Sequence, residues 1–295
     1  MIIVQLTGGL GNQMFQYALG RVLSHKNSDK LTLDLSNYNP FFNTMDTIRS
    51  FELDIFNLKY EEASRSELVR LSDSNPIINF INSIFKTKIN PFPVGFTPEI
   101  AHKFQRQVLQ LKGSIYLRGY WQTEKYFKDY RDLIRNEFKF TKKTGSRNKV
   151  VLADIKRTNS VSVHVRRGDY VNIKTTKAFH GTCGPNYYLR SASYIEKNII
   201  NPIYYVFSDD PEWCKNNLKL SGRTVIIDHN KGNDGWMDMW LMSNCKHNII
   251  ANSSFSWWGA WLNENSSKIV ITPKIWFKDK TVDTEDLVPS SWIKL

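Results

Sequence analysis

The chain has little cysteine: three residues in 295, at Cys183, Cys214 and Cys245, an odd number with no CxxC or CxxH spacing. That excludes a disulfide framework and a cysteine zinc site, and it fits a reducing compartment. No HxH, DxD or HExxH arrangement occurs, and the neighbouring Asp209 and Asp210 are not a DxD pair, so no metal site is expected. Nowhere do 18 apolar residues run together, which excludes a membrane-spanning helix. The opening MIIVQLTGGLGNQ has neither a basic leader nor an apolar stretch long enough for export. The expectation is a soluble, cytoplasmic protein. Internal repeats, low-complexity segments and long Lys/Arg blocks are also missing, and scattered basic residues argue against nucleic acid as the partner.

What is present is a charge of +12, from 40 Lys and Arg against 28 Asp and Glu. Such a balance favours anionic partners, either phosphorylated substrates or the anionic inner face of a membrane on which the protein would rest peripherally. Apolar residues make up 41% of the chain, enough for a sizeable core, and the length suits two ordinary domains. Nine tryptophans are expected mostly in that core, with some lining a cleft.

Short apolar strands alternate with helical patterns along much of the chain. IIVQL (2–6) runs into the turn TGGLGNQ and then a helix, and LTLDL (31–35) completes a strand–helix–strand unit. Between 36 and 112 the pattern is poorer: 61–72 and 76–86 read as helices and 90–98 as Pro-containing loop. YLRGYWQ (116–122) reads as strand and 123–138 as one amphipathic helix. The polar, basic 141–149 reads as a linker. Strands follow at 160–165, 203–208, 224–228, 248–251 and 268–272, with helices between them. The expected fold class is α/β, as two Rossmann-like domains facing across a cleft, with residues 1–150 in one and 151–295 in the other.

In open parallel sheets ligands bind beyond the carboxyl ends of the strands. After the strand at 160–165 come Arg166, Arg167, Gly168 and Asp169. After 203–208 come Asp209 and Asp210. After 248–251 come Asn252, Ser253 and Ser254, at the start of a helix. Arginine offers a permanently charged planar fork for phosphate oxygens. A helix start offers free N–H groups, with the hydroxyls of Ser253, Ser254 and Ser256 beside them. Asp209 or Asp210 can accept from the N1–H and N2 edge of guanine. Together these suit a nucleotide diphosphate-sugar, with arginine rather than a metal ion neutralising the diphosphate. Each element also has a plainer reading: an Arg–Asp surface cluster, an aspartate capping the helix at Pro211, a serine N-cap. The first turn places Gly8, Gly9 and Gly11 where backbone can approach a ligand, with Asn12 and Gln13 at the helix start, or else it is simply a tight turn. His164 points to the same side of its strand as Arg166, whereas His102 and His229 read as structural.

At GGLGNQMFQYA (8–18), GYWQTEKYF (119–127), HVRRGDY (164–170), FSDDPEWCK (207–215) and MSNCKHNIIANSSFSWWGAWL (242–262) the sequence resembles the α-1,2-fucosyltransferases of glycosyltransferase family 11, over nearly its whole length. Without an N-terminal anchor in the sequence, it is similar to the bacterial members. The resemblance implies a GT-B fold and inverting, metal-independent transfer of L-fucose from GDP-β-L-fucose to O2 of a terminal galactose, on a surface glycan such as O-antigen. It implies that Gly9, Gly11, Asn12, His164, Arg166, Arg167, Asp209, Asp210, Asn252, Ser253, Ser254, Phe255 and Ser256 serve the donor. It places Trp121 and Gln122 on the acceptor side, and Arg166, Asn12 and Asp169 in catalysis. Arg166 is then expected to help GDP depart, while Asp169 either takes the acceptor proton or orients an arginine. The rival readings are a fucosyltransferase of another linkage or acceptor, and a GDP-binding protein without transferase activity.

Overall fold

The computed structural model describes residues 1–39, 49–71, 95–99, 103–168, 171, 179, 181–279 and 282–295. The chain divides into two compact units: Met1–Lys139 with Glu285–Leu287, and Phe140–Thr284 with Val288–Leu295.

The first unit carries β1 (Ile2–Gln5), β2 (Leu31–Asp34), β3 (Glu61–Glu62), β4 (Phe96–Pro98) and β5 (Ile115–Arg118), in the order β3-β2-β1-β5-β4 and paired in parallel. Helix α1 (Leu10–Asn27) connects β1 to β2 and lies close on them. A Cβ on its Gly20 would stand 2.3 Å from Val4 Cγ2 and 2.8 Å from Leu31 Cδ1. Its other face is fastened by Glu137, which accepts from Tyr17 Oη at 2.8 Å and Arg21 Nε at 2.7 Å.

Several expectations in this half change. Residues 61–72 are strand β3 and then a short helix α2 (Arg65–Leu71), and 76–86 lies outside the described residues. The stretch 90–98 ends in β4, whose Pro98 is tolerated because β4 is the edge strand. The helix expected over 123–138 is instead two 3₁₀ turns, Glu124–Tyr126 and Lys128–Tyr130, followed by α3 (Arg131–Glu137). The break is at Phe127, with φ −137°, where the adjacent Tyr126 and Phe127 are both buried, an arrangement favoured here over a regular helix.

The second unit carries β6 (Asn159–Val165), β7 (Pro202–Ser208), β8 (Thr224–Ile227), β9 (His247–Ile249), β10 (Val270–Thr272) and β11 (Ile293–Lys294). Their order is β11-β10-β9-β6-β7-β8, again with parallel pairing. Numbered from β6, this is the 3-2-1-4-5-6 order of nucleotide-binding sheets, with the switch point between β6 and β9. Its helices include α4 (Ser146–Arg157), α5 (Pro185–Asn198), α6 (Pro211–Asn217), α7 (Trp236–Asn244) and α8 (Ser254–Leu262). Val161, Val163 and Val165 of β6 pack with Tyr187, Tyr188 and Ile195 of α5 in one core cluster, as expected of strands covered on both faces. The expected linker at 141–149 contains the start of α4, whose Asn148 is buried, and Phe140 stacks on Trp236 at 5.7 Å. The compact units divide between Lys139 and Phe140, where the sequence reading sets its domain boundary at 150. The α/β class with two parallel-sheet units is what the sequence leads one to expect.

Candidate active site

In the second unit, Arg166 and Arg167 follow β6, Asp209 and Asp210 follow β7, and Asn252–Ser256 follow β9, so the three segments share the carboxyl rim. The β6–β7 register sets Val165 opposite Ser208, which brings the two charged pairs together. Arg166 Nη1 lies 2.9 Å from Asp209 Oδ2, and the Arg167 backbone N–H donates to Asp209 Oδ1 at 2.8 Å. Arg167 Nε donates to Asp210 Oδ2 at 3.1 Å, and its guanidinium lies 4.1 Å from the centre of the Trp213 ring. Asp210 also caps α6, accepting from the Trp213 N–H at 3.1 Å. Gly168 is required by proximity, since a Cβ there would stand 2.8 Å from Asp209 Oδ2. The cluster and the helix cap foreseen as plainer readings are thus present. Arg166 and Asp209 nevertheless keep 24% and 25% side-chain exposure, enough for a ligand to reach them. Asp169 lies outside the described residues.

His164 is 6% exposed, its ring 5.6 Å from that of Phe255, and its Nδ1 has no hydrogen-bond partner among the described residues. Burial, and then the charge of Arg166, push its pKa down to about 3, so the ring is neutral. The serine run divides by position. Asn252 is 2% exposed; its amide donates to the carbonyls of Gly181 at 3.3 Å and Trp276 at 3.0 Å, so it ties loops together. Ser256 is buried, its hydroxyl donating to the Ser253 carbonyl at 3.3 Å. Ser254 and Phe255 are half-buried, and Ser253 is the N-cap of α8 without a side-chain cap bond. No acidic residue occupies the first turn of α8, where the positive end of the helix dipole lies.

The first unit has its own switch point, between β1 and β5. Gln16 spans it, accepting from the Thr7 N–H and donating to the Gly119 carbonyl, both at 3.0 Å. Gln122 Nε2 donates to Asn12 Oδ1 at 2.8 Å, joining two residues expected on the sugar side. Gly8, at φ 77°, brings its backbone so close to Asn12 that a Cβ would lie 2.4 Å from Nδ2. Gly9 is the N-cap of α1, and Gly11 is buried in its first turn. Trp121 is 0% exposed and packs edge-on against Tyr126 at 5.7 Å, so the expectation that its ring meets an acceptor does not suit its position. Glu99 holds that turn, accepting from the Tyr120 and Trp121 N–H groups at 2.7 and 3.0 Å.

Sequence reasoning missed two carboxylates. Glu52 Oε2 accepts from the Leu10 N–H at 2.7 Å, so the start of α1 already holds an anion. Its signal was hidden in the poorly patterned 36–112 stretch. Asp238 accepts from Asn230 Nδ2 at 2.7 Å, and burial pushes its pKa up to about 7. A single carboxylate among the apolar residues of GWMDMWLM was the available clue. Among the described residues there is no group of three or more His, Cys, Asp or Glu suited to a metal, and no helix long and apolar enough to cross a membrane.

A parallel sheet in the 3-2-1-4-5-6 order, with guanidinium groups and a helix start on its carboxyl rim, has the layout common among nucleotide-binding α/β enzymes. The chain belongs to glycosyltransferase family 11, whose model matches residues 1–295, and it is a glycosyltransferase. It is 37% identical to an Escherichia coli alpha-1,2-colitosyltransferase over 100% of this chain and 99% of that one. It is 34% identical to the Escherichia coli O-antigen biosynthesis glycosyltransferase WbnK over 98% of this chain and 99% of that one. Over 50% of this chain and 42% of the other, it is 30% identical to the human galactoside alpha-(1,2)-fucosyltransferase 1.

Proposed function

We propose that this glycosyltransferase moves L-fucose from GDP-β-L-fucose to O2 of a terminal galactose on a surface glycan, inverting the anomeric carbon without a metal. The observation that carries the reading is Arg166, held by Asp209 at the end of β6, on the carboxyl rim that the start of α8 shares. In a single displacement the acceptor oxygen bonds to C1 of fucose as the bond from C1 to the β-phosphate oxygen breaks. The electron pair leaves with GDP, and Arg166 stabilises the charge that gathers there. Neutral His164, Ser253, Ser254 and Phe255 line the same rim and hold the donor. Asp169 is the candidate to take the acceptor proton.

The first unit suits a neutral sugar better than a phosphate, because Glu52 already occupies the positive end of α1. Gly9, Gly11 and Asn12, expected on the donor, are therefore reassigned to the acceptor side with Gln122. The basic surface fits docking on anionic lipid, which vesicle co-sedimentation at two salt concentrations tests.

The experiment is incubation with GDP-fucose and a panel of β-galactosides in EDTA, with products read by mass and linkage. One fucose on O2 of galactose is expected, and Arg166→Ala should lower turnover by about 10²–10³. An Arg166→Ala loss of less than tenfold would refute the leaving-group role. The colitosyltransferase relative favours a second reading, in which the donor sugar is colitose, a fucose lacking the 3-hydroxyl. A site built to bond that hydroxyl rejects the deoxy sugar strongly, whereas one that is not accepts both. Competition between GDP-fucose and GDP-colitose decides between them.

A further inference from the structure

Sequence reasoning offered Asp209 or Asp210 to guanine, and the geometry around Asp209 favours a different task for it. Both oxygens of Asp209 face back onto the end of β6: Oδ2 meets the Arg166 guanidinium at 2.9 Å, and Oδ1 takes the Arg167 N–H at 2.8 Å. A carboxylate that reads the N1–H and N2 edge of guanine needs both oxygens pointing at the base. One that holds a guanidinium and the backbone beside it fixes where that guanidinium points. Gly168 supports this arrangement, because any side chain there would press on Oδ2 at 2.8 Å. Asp210 is engaged separately, by Arg167 Nε and the cap of α6.

We infer that Asp209 is a positioning residue that aims Arg166 at the departing diphosphate, with Gly168 leaving it the room to do so, and that it does not read the base. The inference rests on the second unit being the GDP-binding half. Arginine on a long side chain samples many rotamers, and preorganisation of its charge is what makes it effective in the transition state. Asp209 supplies that preorganisation through a hydrogen-bonded ion pair at the point where β6 and β7 end.

The test is a double-variant cycle in the full-length protein, with donor turnover measured by GDP release and with GDP and inosine diphosphate compared as inhibitors. Inosine lacks the 2-amino group that a base-reading carboxylate would sense. Asp209→Asn is expected to lower kcat at least tenfold while KM for the donor changes less than threefold. It should leave the wild-type ratio of GDP to inosine diphosphate inhibition unchanged. Combined with Arg166→Ala, it should cost nothing beyond Arg166→Ala alone, because Asp209 acts through that side chain. Gly168→Ala, which displaces the carboxylate without removing it, should show the same non-additivity, and melting curves verify that each variant is folded. Losses that multiply in the double variant, or an Asp209→Asn protein that no longer prefers GDP to inosine diphosphate, would overturn the inference. A wild-type protein inhibited by neither nucleotide would instead bring down the donor-site reading, and this one with it.

Discussion

The buried imidazole of His164 makes a quantitative prediction about acid stability. In the folded chain its pKa is pushed down to about 3, whereas an unfolded histidine titrates near its ordinary 6.5. Below pH 6.5 the unfolded chain therefore takes up a proton that the native state refuses, and stability falls as pH falls. The loss approaches about 1.4 kcal/mol per pH unit, so about 2 kcal/mol goes between pH 8 and pH 5 on account of this ring alone. His164→Gln removes the titrating group. It also loses contact with Phe255, but that cost does not depend on pH. The assay is urea unfolding of wild type and variant at pH 8, 7, 6 and 5. Tryptophan fluorescence is a suitable signal, because Trp257, Trp258 and Trp261 are buried in α8, the helix that carries Phe255. All other titrating groups are common to the two proteins, so the difference between the curves isolates His164. The wild-type advantage should shrink, or its deficit grow, by about 2 kcal/mol from pH 8 to pH 5. Parallel curves across that range would refute the argument, because they would mean that the native ring accepts the proton.

Asp238 should act with the opposite sign: its folded pKa of about 7 lies above the ordinary 3.8, so stability is lost as pH rises from about 4 to 7. Asp238→Asn should therefore gain on wild type over that window, by a few kcal/mol at most, and hold the gain above pH 7 in melting experiments. Gly20→Ala places a methyl 2.3 Å from Val4 Cγ2 and should destabilise by about 1–3 kcal/mol in urea titration, since α1 cannot otherwise lie on β1 and β2. Glu52→Gln should raise KM for the acceptor more than KM for GDP-fucose in initial-rate kinetics; the reverse pattern would return the first turn to the donor.

The chemistry-bearing segments were legible in the sequence for a local reason. A parallel strand buried on both faces is a short apolar run, and the residues just after it must lie on the carboxyl rim, so Arg166, Asp209 and Ser253 could be placed together without coordinates. The glycine at 8 was likewise readable as a close approach of backbone, whereas the need for Gly168 came only with Asp209 beside it. Three-dimensional packing decided which members of each motif face outward. Asn252 and Ser256 lie two residues either side of the half-buried Ser254, yet they turn inward to satisfy buried carbonyls. Trp121 stands beside Gln122, yet it fills the core against Tyr126.

Pairing was equally out of reach. Arg166 and Asp209, or Leu10 and Glu52, are separated by some 40 residues, and their meeting depends on strand order and register. Where local preference and burial competed, as in the helix expected over 123–138, the need to bury adjacent aromatic rings won. The sequence by itself determined which residues reach the rims of the two sheets, because neighbours along the chain decide that. Only the tertiary structure decided which of them are held, which are buried and which stay open to a ligand, because those outcomes depend on groups that folding alone brings together.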